Sequence, residues 1–333
     1  MLGLLQSNVF SSVLSLKPDK KITFWVKIVV FAVLLTYIVH VIQQQPFDWS
    51  TVQTQLRAVS HPEQWGVSLL LLTPVNWGLE ALKWQILLRR VESVRFWEAC
   101  KGVLAGVSLG FAMPAQLGDT TGRVLSLRTN RAGGIGASLV SGGMQFYVSI
   151  VFGAVAWVYH LMLVPERSHT AGRWLLVLLA SLSLGGIGFG LARKQLVRYA
   201  SGRPALQRFA DYWAVAGLYT DREIGLALGV AALRYLVFSL QFYLAMRVVG
   251  LILPPTVAAS GIGLVFLAKT ITPAFNLLSD LGVREAASLW VFSPFAVSVP
   301  VLLTVTLTLW VANVLIPVLV GLIWVWKLKL TAQ

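Results

Sequence analysis

The stretch MPAQLGDTTGR, Met113–Arg123, decides how this chain folds. It closes an apolar run that begins at about Trp97, and it holds a proline, two glycines and a charged pair. Pro114 lacks an N–H and clashes with the preceding turn, so a helix breaks there. Asp119 and Arg123 are four residues apart, which sets both side chains on one face of the helix that restarts after the break. A second version follows later as TPAFNLLSDLGVRE, Thr272–Glu285. There Pro273-Ala274 matches Pro114-Ala115, and Asp280/Arg284 matches Asp119/Arg123. Each motif follows an apolar run with closely spaced Gly and Ser. These features predict two proline-broken helical hairpins, over 97–128 and 255–292.

The surroundings of both motifs are apolar. Of 333 residues, 57% are hydrophobic and 12% charged, against roughly 25% charged in an average soluble domain. Mean hydropathy is +0.75. This composition excludes a soluble enzyme, a disordered chain and a soluble dinucleotide- or nucleic-acid-binding fold. The apolar blocks reach the length of about 20 residues that a bilayer-crossing helix needs. The expected class is an all-α integral membrane protein, a single transmembrane domain over 1–333. The longest polar stretch, 193–222, is too short to fold alone. A lone Cys100 excludes intramolecular disulfides and a multi-cysteine zinc site. His40, His61, His160 and His169 lack metal-ligand spacing. No phosphate-cradling glycine loop or GxSxG turn is present. No metal, cofactor or catalytic residue is therefore assigned.

Residues 1–21 read as a cytoplasmic or interfacial N-terminus, followed by a retained signal anchor over Phe24–Ile42. A short surface helix is expected within 50–60. Trp65–Leu88 forms the second span, and Gly133–Leu163 is a long apolar segment that completes a first half over 24–163. Trp174–Leu191 is a connecting span. The basic loop 193–222 carries Arg193, Lys194, Arg198, Arg203, Arg208 and Arg222. A second half over 224–326 ends in a span from about Val297 to Trp326, with Pro300 delaying its start. Lys and Arg collect in 17–27, 89–101, 123–131, 193–222 and 327–329, and are sparse in 43–64 and 160–173. By the positive-inside rule both chain ends are cytoplasmic, in the inner membrane. The first hairpin then dips from the cytoplasmic side and the second from the outer side. The count is about six full transmembrane helices plus two oppositely oriented re-entrant hairpins; eight or nine crossings is the alternative. Similar sequence in opposite orientation marks an inverted repeat, and chance likeness of short motifs is the other reading.

Charges at membrane depth cost about 2.5–3.5 kcal/mol on insertion scales, so they face protein or water. A half-helix starting after each proline offers free N–H groups and a positive dipole end, which suit a phosphate. Arg123 and Arg284 are the candidates to hold it, and Asp119 and Glu285 to orient them. Asp280, Lys269 and Glu80 are candidate neighbours in the same polar cavity, and Pro114, Gly118, Pro273 and Gly282 shape the hairpins. The plainer possibility is that each Asp–Arg pair only pins its hairpin. Glu80 is placed toward the cavity, and Lys83 is expected to snorkel to the cytoplasmic surface near Arg89. Lys269 suits either a counter-charge for Asp280 or a head-group contact. Arg234 needs a partner that the sequence does not identify. Gln145 and Gln241 suit cavity lining or interhelical hydrogen bonds. Trp25, Trp49, Trp65, Trp97, Trp174, Trp324 and Trp326 fit an interfacial belt. The basic loop fits a face against anionic lipid.

Together, Pro114, Gly118-Asp119 and Arg123, the upstream Lys83-Trp84, and Leu-Gly-Val-Arg-Glu at 281–285 resemble the lysylphosphatidylglycerol synthetase transmembrane-domain family. The resemblance spans about residues 20–326. It implies a flippase-like membrane domain, found alone or fused to lipid-modifying or glycosyltransferase domains. By position, Pro114, Gly118, Asp119 and Arg123 match the first family motif, and Gly282, Arg284 and Glu285 the second. The second motif departs from the family pattern in reading Phe-Asn-Leu-Leu-Ser-Asp-Leu where glycines are usual, which weakens any transfer of substrate. With no aminoacyltransferase domain in 333 residues, the chain is not expected to make an aminoacyl lipid by itself. The expected function is translocation of a phospholipid or lipid-linked precursor between leaflets. Transport would be passive or ion-coupled, with Glu80, Asp119 and Glu285 as proton-carrier candidates. Expected partners are anionic lipid head groups and a separate lipid-modifying or glycosyltransferase enzyme, with no nucleic acid. The rival readings are a membrane-embedded transferase using Asp119 or Glu80 as base, which lacks an Asp-x-Asp metal cluster, and a non-catalytic membrane partner.

Overall fold

The computed structural model describes residues 49–112, 117–167, 170–203, 209–272 and 282–330, with Gln207 and isolated positions among 36–43. The N-terminal segment 1–21, most of the span 24–42, Pro114, His169, Arg208, Pro273 and Asp280 lie outside the described residues. All described elements are helical. Among the described residues, four helices are long and apolar enough to cross a membrane: 131–163, 170–201, 221–248 and 299–326. The chain is an all-α multi-pass membrane protein.

The surface helix expected within 50–60 is α1, Trp49–Ala58. Helix α2, Pro62–Leu88, begins with a proline in its first turn, where the missing N–H costs nothing. It is long enough to span, yet buries Thr73, Asn76, Glu80 and Lys83. The first hairpin consists of α3, Phe96–Ala112, and α4, Leu117–Leu125. Helix α5, Arg131–Leu163, starts at Asn130, whose side chain accepts a hydrogen bond from the Gly133 N–H at 2.8 Å. Helix α6, Thr170–Ser201, outruns its expected span and is the least covered of the four, with 6% of its apolar window buried.

The basic segment differs from a plain loop. It holds α7, Ala210–Leu218, which packs against α5 and α6. A nine-residue apolar run inside a basic stretch was too short to read as an element. Arg193 is buried, pairing with Asp221 and donating to the Tyr219 carbonyl at 3.0 Å. Lys194, Arg198, Arg203 and Arg222 remain exposed. Helix α8, Asp221–Val248, starts with a reciprocal Thr220–Glu223 capping box. Helices α9, Pro255–Ile271, and α10, Val283–Phe292, pack together within the stretch where the second hairpin is expected. Helix α11, Val299–Trp310, begins two residues after Val297 with Pro300 in its first turn, in line with the expected delay. A π turn at Val311–Leu315 joins it to α12, Ile316–Leu330.

Helix α2 packs along α8. Helix α5 touches α2, α4, α8 and α9, and α12 packs along α3. Hairpin α3–α4 closes backbone to backbone. A Cβ at Gly118 would stand 2.2 Å from the Leu109 carbonyl, and one at Gly122 would stand 2.5 Å from the Gly106 Cα. These contacts run antiparallel, 118 against 109–110 and 122 against 105–106, and only glycine permits them. Below the hairpin, Glu92 accepts from the Thr129 amide at 2.9 Å, its hydroxyl at 2.8 Å and the Arg128 amide.

Two predictions follow from this packing. Gly122→Val forces the hairpin apart and lowers stability by about 1–3 kcal/mol, the usual cost of overpacking. A thermal melt of the purified protein in detergent reads the loss. Burial pushes the Glu92 carboxyl up, but hydrogen bonds from Thr129 and Arg128 and the Arg128 charge outweigh it and hold the carboxyl below its ordinary value. Its contribution is therefore present above the ordinary glutamate range and is lost as pH falls through the lower folded value. The melting temperature of wild type should fall more steeply than that of Glu92→Gln as pH drops below about 4.3.

Candidate functional site

Where α2, α4, α5 and α8 meet, the helices bury a connected group of charges. Glu80 stands at its centre, with a side chain only 4% exposed. Lys83, on the same helix, lies 2.9 Å from Glu80 Oε2. Arg123 Nη1 on α4 donates to Glu80 Oε1 at 2.9 Å. Arg234 Nε on α8 lies 3.3 Å from Oε2, close enough for an ion pair but out of line for a hydrogen bond. Arg123 also grips Asp119 with a two-point fork, Nε to Oδ1 at 3.0 Å and Nη2 to Oδ2 at 2.9 Å. Three cations thus meet two carboxylates, leaving one excess positive charge in a protein-enclosed space.

Neighbours fix each member. Lys83 Nζ donates to the Ser141 carbonyl at 3.3 Å. The Ser141 hydroxyl reaches Glu80 Oε1 at 3.5 Å. Arg234 Nη1 donates to Gln145 Oε1 at 3.2 Å. Aromatic rings floor two of the guanidinium groups, Trp84 at 5.5 Å from Arg123 and Trp77 at 5.4 Å from Arg234. Asp119 is the open edge, 34% exposed against 7% for Arg123.

The structure thus brings Glu80, Asp119 and Arg123 together and adds Lys83, Arg234 and Gln145. Lys83 does not snorkel to the surface: it is 1% exposed and turned into the bundle, because Glu80 and the Ser141 carbonyl satisfy it there. Arg234 finds the partner that the sequence left unnamed. Gln241 takes the interhelical role, accepting from Asn76 at 3.0 Å and donating to Thr73 at 3.2 Å. Asn76 also reaches Asn313, inside the π turn, at 3.4 Å. No sequence signal marked that turn.

Arg284 and Glu285 sit on α10, whose main packing partners are α9 and α11. Gly282 precedes α10 at φ 100, a left-handed turn that favours glycine. Its N–H donates to Glu285 Oε2 at 2.6 Å. Arg284 is 1% exposed, and its three nitrogens meet no hydrogen-bond partner among the described residues. Ser288 Oγ, one turn on, and Glu285 Oε1 are likewise without one. No ion pair joins Arg284 to the Glu80 network among the described residues. Lys269 lies over the Phe238 ring at 5.6 Å. Among the described residues no cluster of His, Cys, Asp and Glu could hold a metal.

A family model described as the lysylphosphatidylglycerol synthase TM region matches residues 24–321. The chain belongs to that family. The match takes in both hairpin motifs and every member of the charge network, and it makes this a membrane domain of a lipid-related family. No curated protein matches the chain.

In this family member, Glu80 should matter more to folding than Asp119. Removing the Glu80 charge leaves Lys83 and Arg234 without their anion and Arg123 with Asp119 alone, and an uncompensated buried charge costs about 3–5 kcal/mol. Glu80→Gln is expected to abolish a cooperative melt or lower it sharply. Asp119→Asn, at the open edge, should shift it far less. Equal shifts in a fluorescence-detected melt would remove Glu80 from the centre of the site.

Proposed function

We propose that this chain is a lipid translocase, carrying a phospholipid or lipid-linked precursor between leaflets along a polar path inside the bundle. One observation carries the reading: a protein-enclosed charge network with one excess positive charge and one exchangeable carboxylate. Asp119 is the exchangeable group. It lies at the open edge and is held on one side by the Arg123 fork, a geometry that matches phosphate as well as carboxylate. A phosphodiester taking its place brings one negative charge and leaves the buried balance unchanged. Glu80 stays and keeps Arg123 extended toward the exchange point. The swap spares the head group the cost of meeting an uncompensated field in a low-dielectric space.

Arg284 is the second station in this reading. A buried guanidinium with no hydrogen-bond partner among the described residues is costly, and an anionic head group beside Ser288 would satisfy it. The two hairpins are taken to enter from opposite leaflets as an inverted repeat, with both chain ends on the cytoplasmic side of the inner membrane. The acyl tails stay in lipid while the head group moves. The chain itself performs no chemistry on the lipid; a separate lipid-modifying or glycosyltransferase enzyme supplies or uses it.

Reconstitution into vesicles holding a trace of labelled anionic phospholipid tests this reading. Wild type should equilibrate the label between leaflets. The double variant Arg123→Lys, Arg284→Ala should slow this by at least about tenfold, since each lost charged hydrogen bond is worth ~1.5–3 kcal/mol. Arg123→Lys keeps a cation for Glu80 and loses only the fork. Equal rates in folded wild type and variant, or no equilibration by folded wild type, would overturn the proposal.

A further inference from the structure

A groove of about 620 Å³ runs between α5 and α8, with α9 as its floor. Its inner end is closed by Phe152 and Tyr235, whose rings stack at 4.5 Å. At the other end Tyr159 and Tyr243 stand open, 52% and 37% exposed, beside the start of α9 at Pro255. The floor is cut from small residues, Ala258, Ala259 and Gly263. Gly263 sits so close to α5 that a Cβ would come within 2.6 Å of the Ala156 methyl. Tyr235 and Tyr243 are separated along α8 by about 12 Å, at ~1.5 Å per residue. A hydrocarbon core is about 30 Å thick, so one leaflet's tails occupy about half of that. The groove is nearly as long as a single leaflet is deep.

We propose that this groove holds one acyl chain of a glycerophospholipid, its end against the Phe152–Tyr235 stack and its ester region between Tyr159 and Tyr243. The walls are continuous with the lipid-facing surface of α5 and α8, two of the helices fit to cross a membrane, through exposed Val155 and Leu240. Tyrosines favour the membrane interface, where the ring stays apolar and the hydroxyl finds a polar partner. Ester carbonyls of a glycerophospholipid lie at that level and accept from tyrosine; a polyprenyl phosphate has none there. The small floor and closed end distinguish a held chain from lipid that merely wets a helix. This site is independent of the transport reading, because a chain is held here whether or not head groups move.

The test uses full-length protein in phosphatidylcholine–phosphatidylglycerol vesicles with a trace of phospholipid carrying a diazirine on one acyl chain. After irradiation, labelled peptides are mapped by mass spectrometry. A diazirine at the chain end should label near Phe152 and Tyr235, and one near the ester should label near Tyr159 and Tyr243. Ala259→Trp fills the floor from an exposed position and should cut groove labelling about tenfold, the equivalent of ~1.4 kcal/mol, while labelling of α6 persists. Ser239→Trp, on the α8 wall, serves if the first variant does not fold. Labelling of the groove no greater than that of α6, or unchanged labelling in a folded filled variant, would overturn the proposal. So would displacement of the phospholipid probe by a polyprenyl phosphate.

Discussion

The ion pairs of Glu80 hold together helices that have little other reason to meet at one point. In a bilayer, apolar side chains gain nothing by leaving lipid for protein, so close packing and satisfied polar groups carry helix association. Glu80 supplies the second. Its two oxygens reach a lysine on its own helix, an arginine on α4 and an arginine on α8. The first hairpin, the α2–α8 seam and the α5 contacts through Ser141 and Gln145 all converge there. Losing the Glu80 charge would leave Lys83 buried without an anion, at a cost of about 3–5 kcal/mol.

The rest of the bundle serves that junction. Gly118 and Gly122 let α4 lie against α3 backbone to backbone, which brings Arg123 within reach of α2. On the far side, the Asn76–Gln241 hydrogen bond fixes α2 against α8 one turn from Glu80. The capping box at Thr220 and the pairing of buried Arg193 with exposed Asp221 set where α8 begins. Polar groups thus act as the specific joints, and the apolar surface faces lipid. The excess charge lies beside Asp119, the most exposed side chain of the network.

Much of this was readable from local spacing. The i, i+4 interval of Asp119 and Arg123 predicted their fork, and the apolar runs predicted the long helices. The i, i+3 interval of Glu80 and Lys83 sets both on one helix face, yet Lys83 reads as a surface residue from sequence, because nearness to Arg89 says nothing about which neighbour a long side chain will face. The Arg123–Glu80 bond joins residues 43 apart, and the Arg234–Gln145 bond joins residues 89 apart. Such pairings depend on how helices cross, which no single helix encodes. The π turn at Val311–Leu315 carries no local signal, and the apolar run of α7 within the basic segment is too short to mark an element.

A double-mutant cycle between Glu80 and Arg234 reaches the central claim most directly. Glu80→Gln alone raises the buried excess charge, whereas Glu80→Gln with Arg234→Gln restores it to the wild-type value. A shared network predicts that the double variant melts at a higher temperature than Glu80→Gln alone, with a coupling at the upper end of the ~0.5–3 kcal/mol seen for contacting residues. Additive destabilisation, with the double variant below both singles, would show that these charges are not one unit and would contradict it.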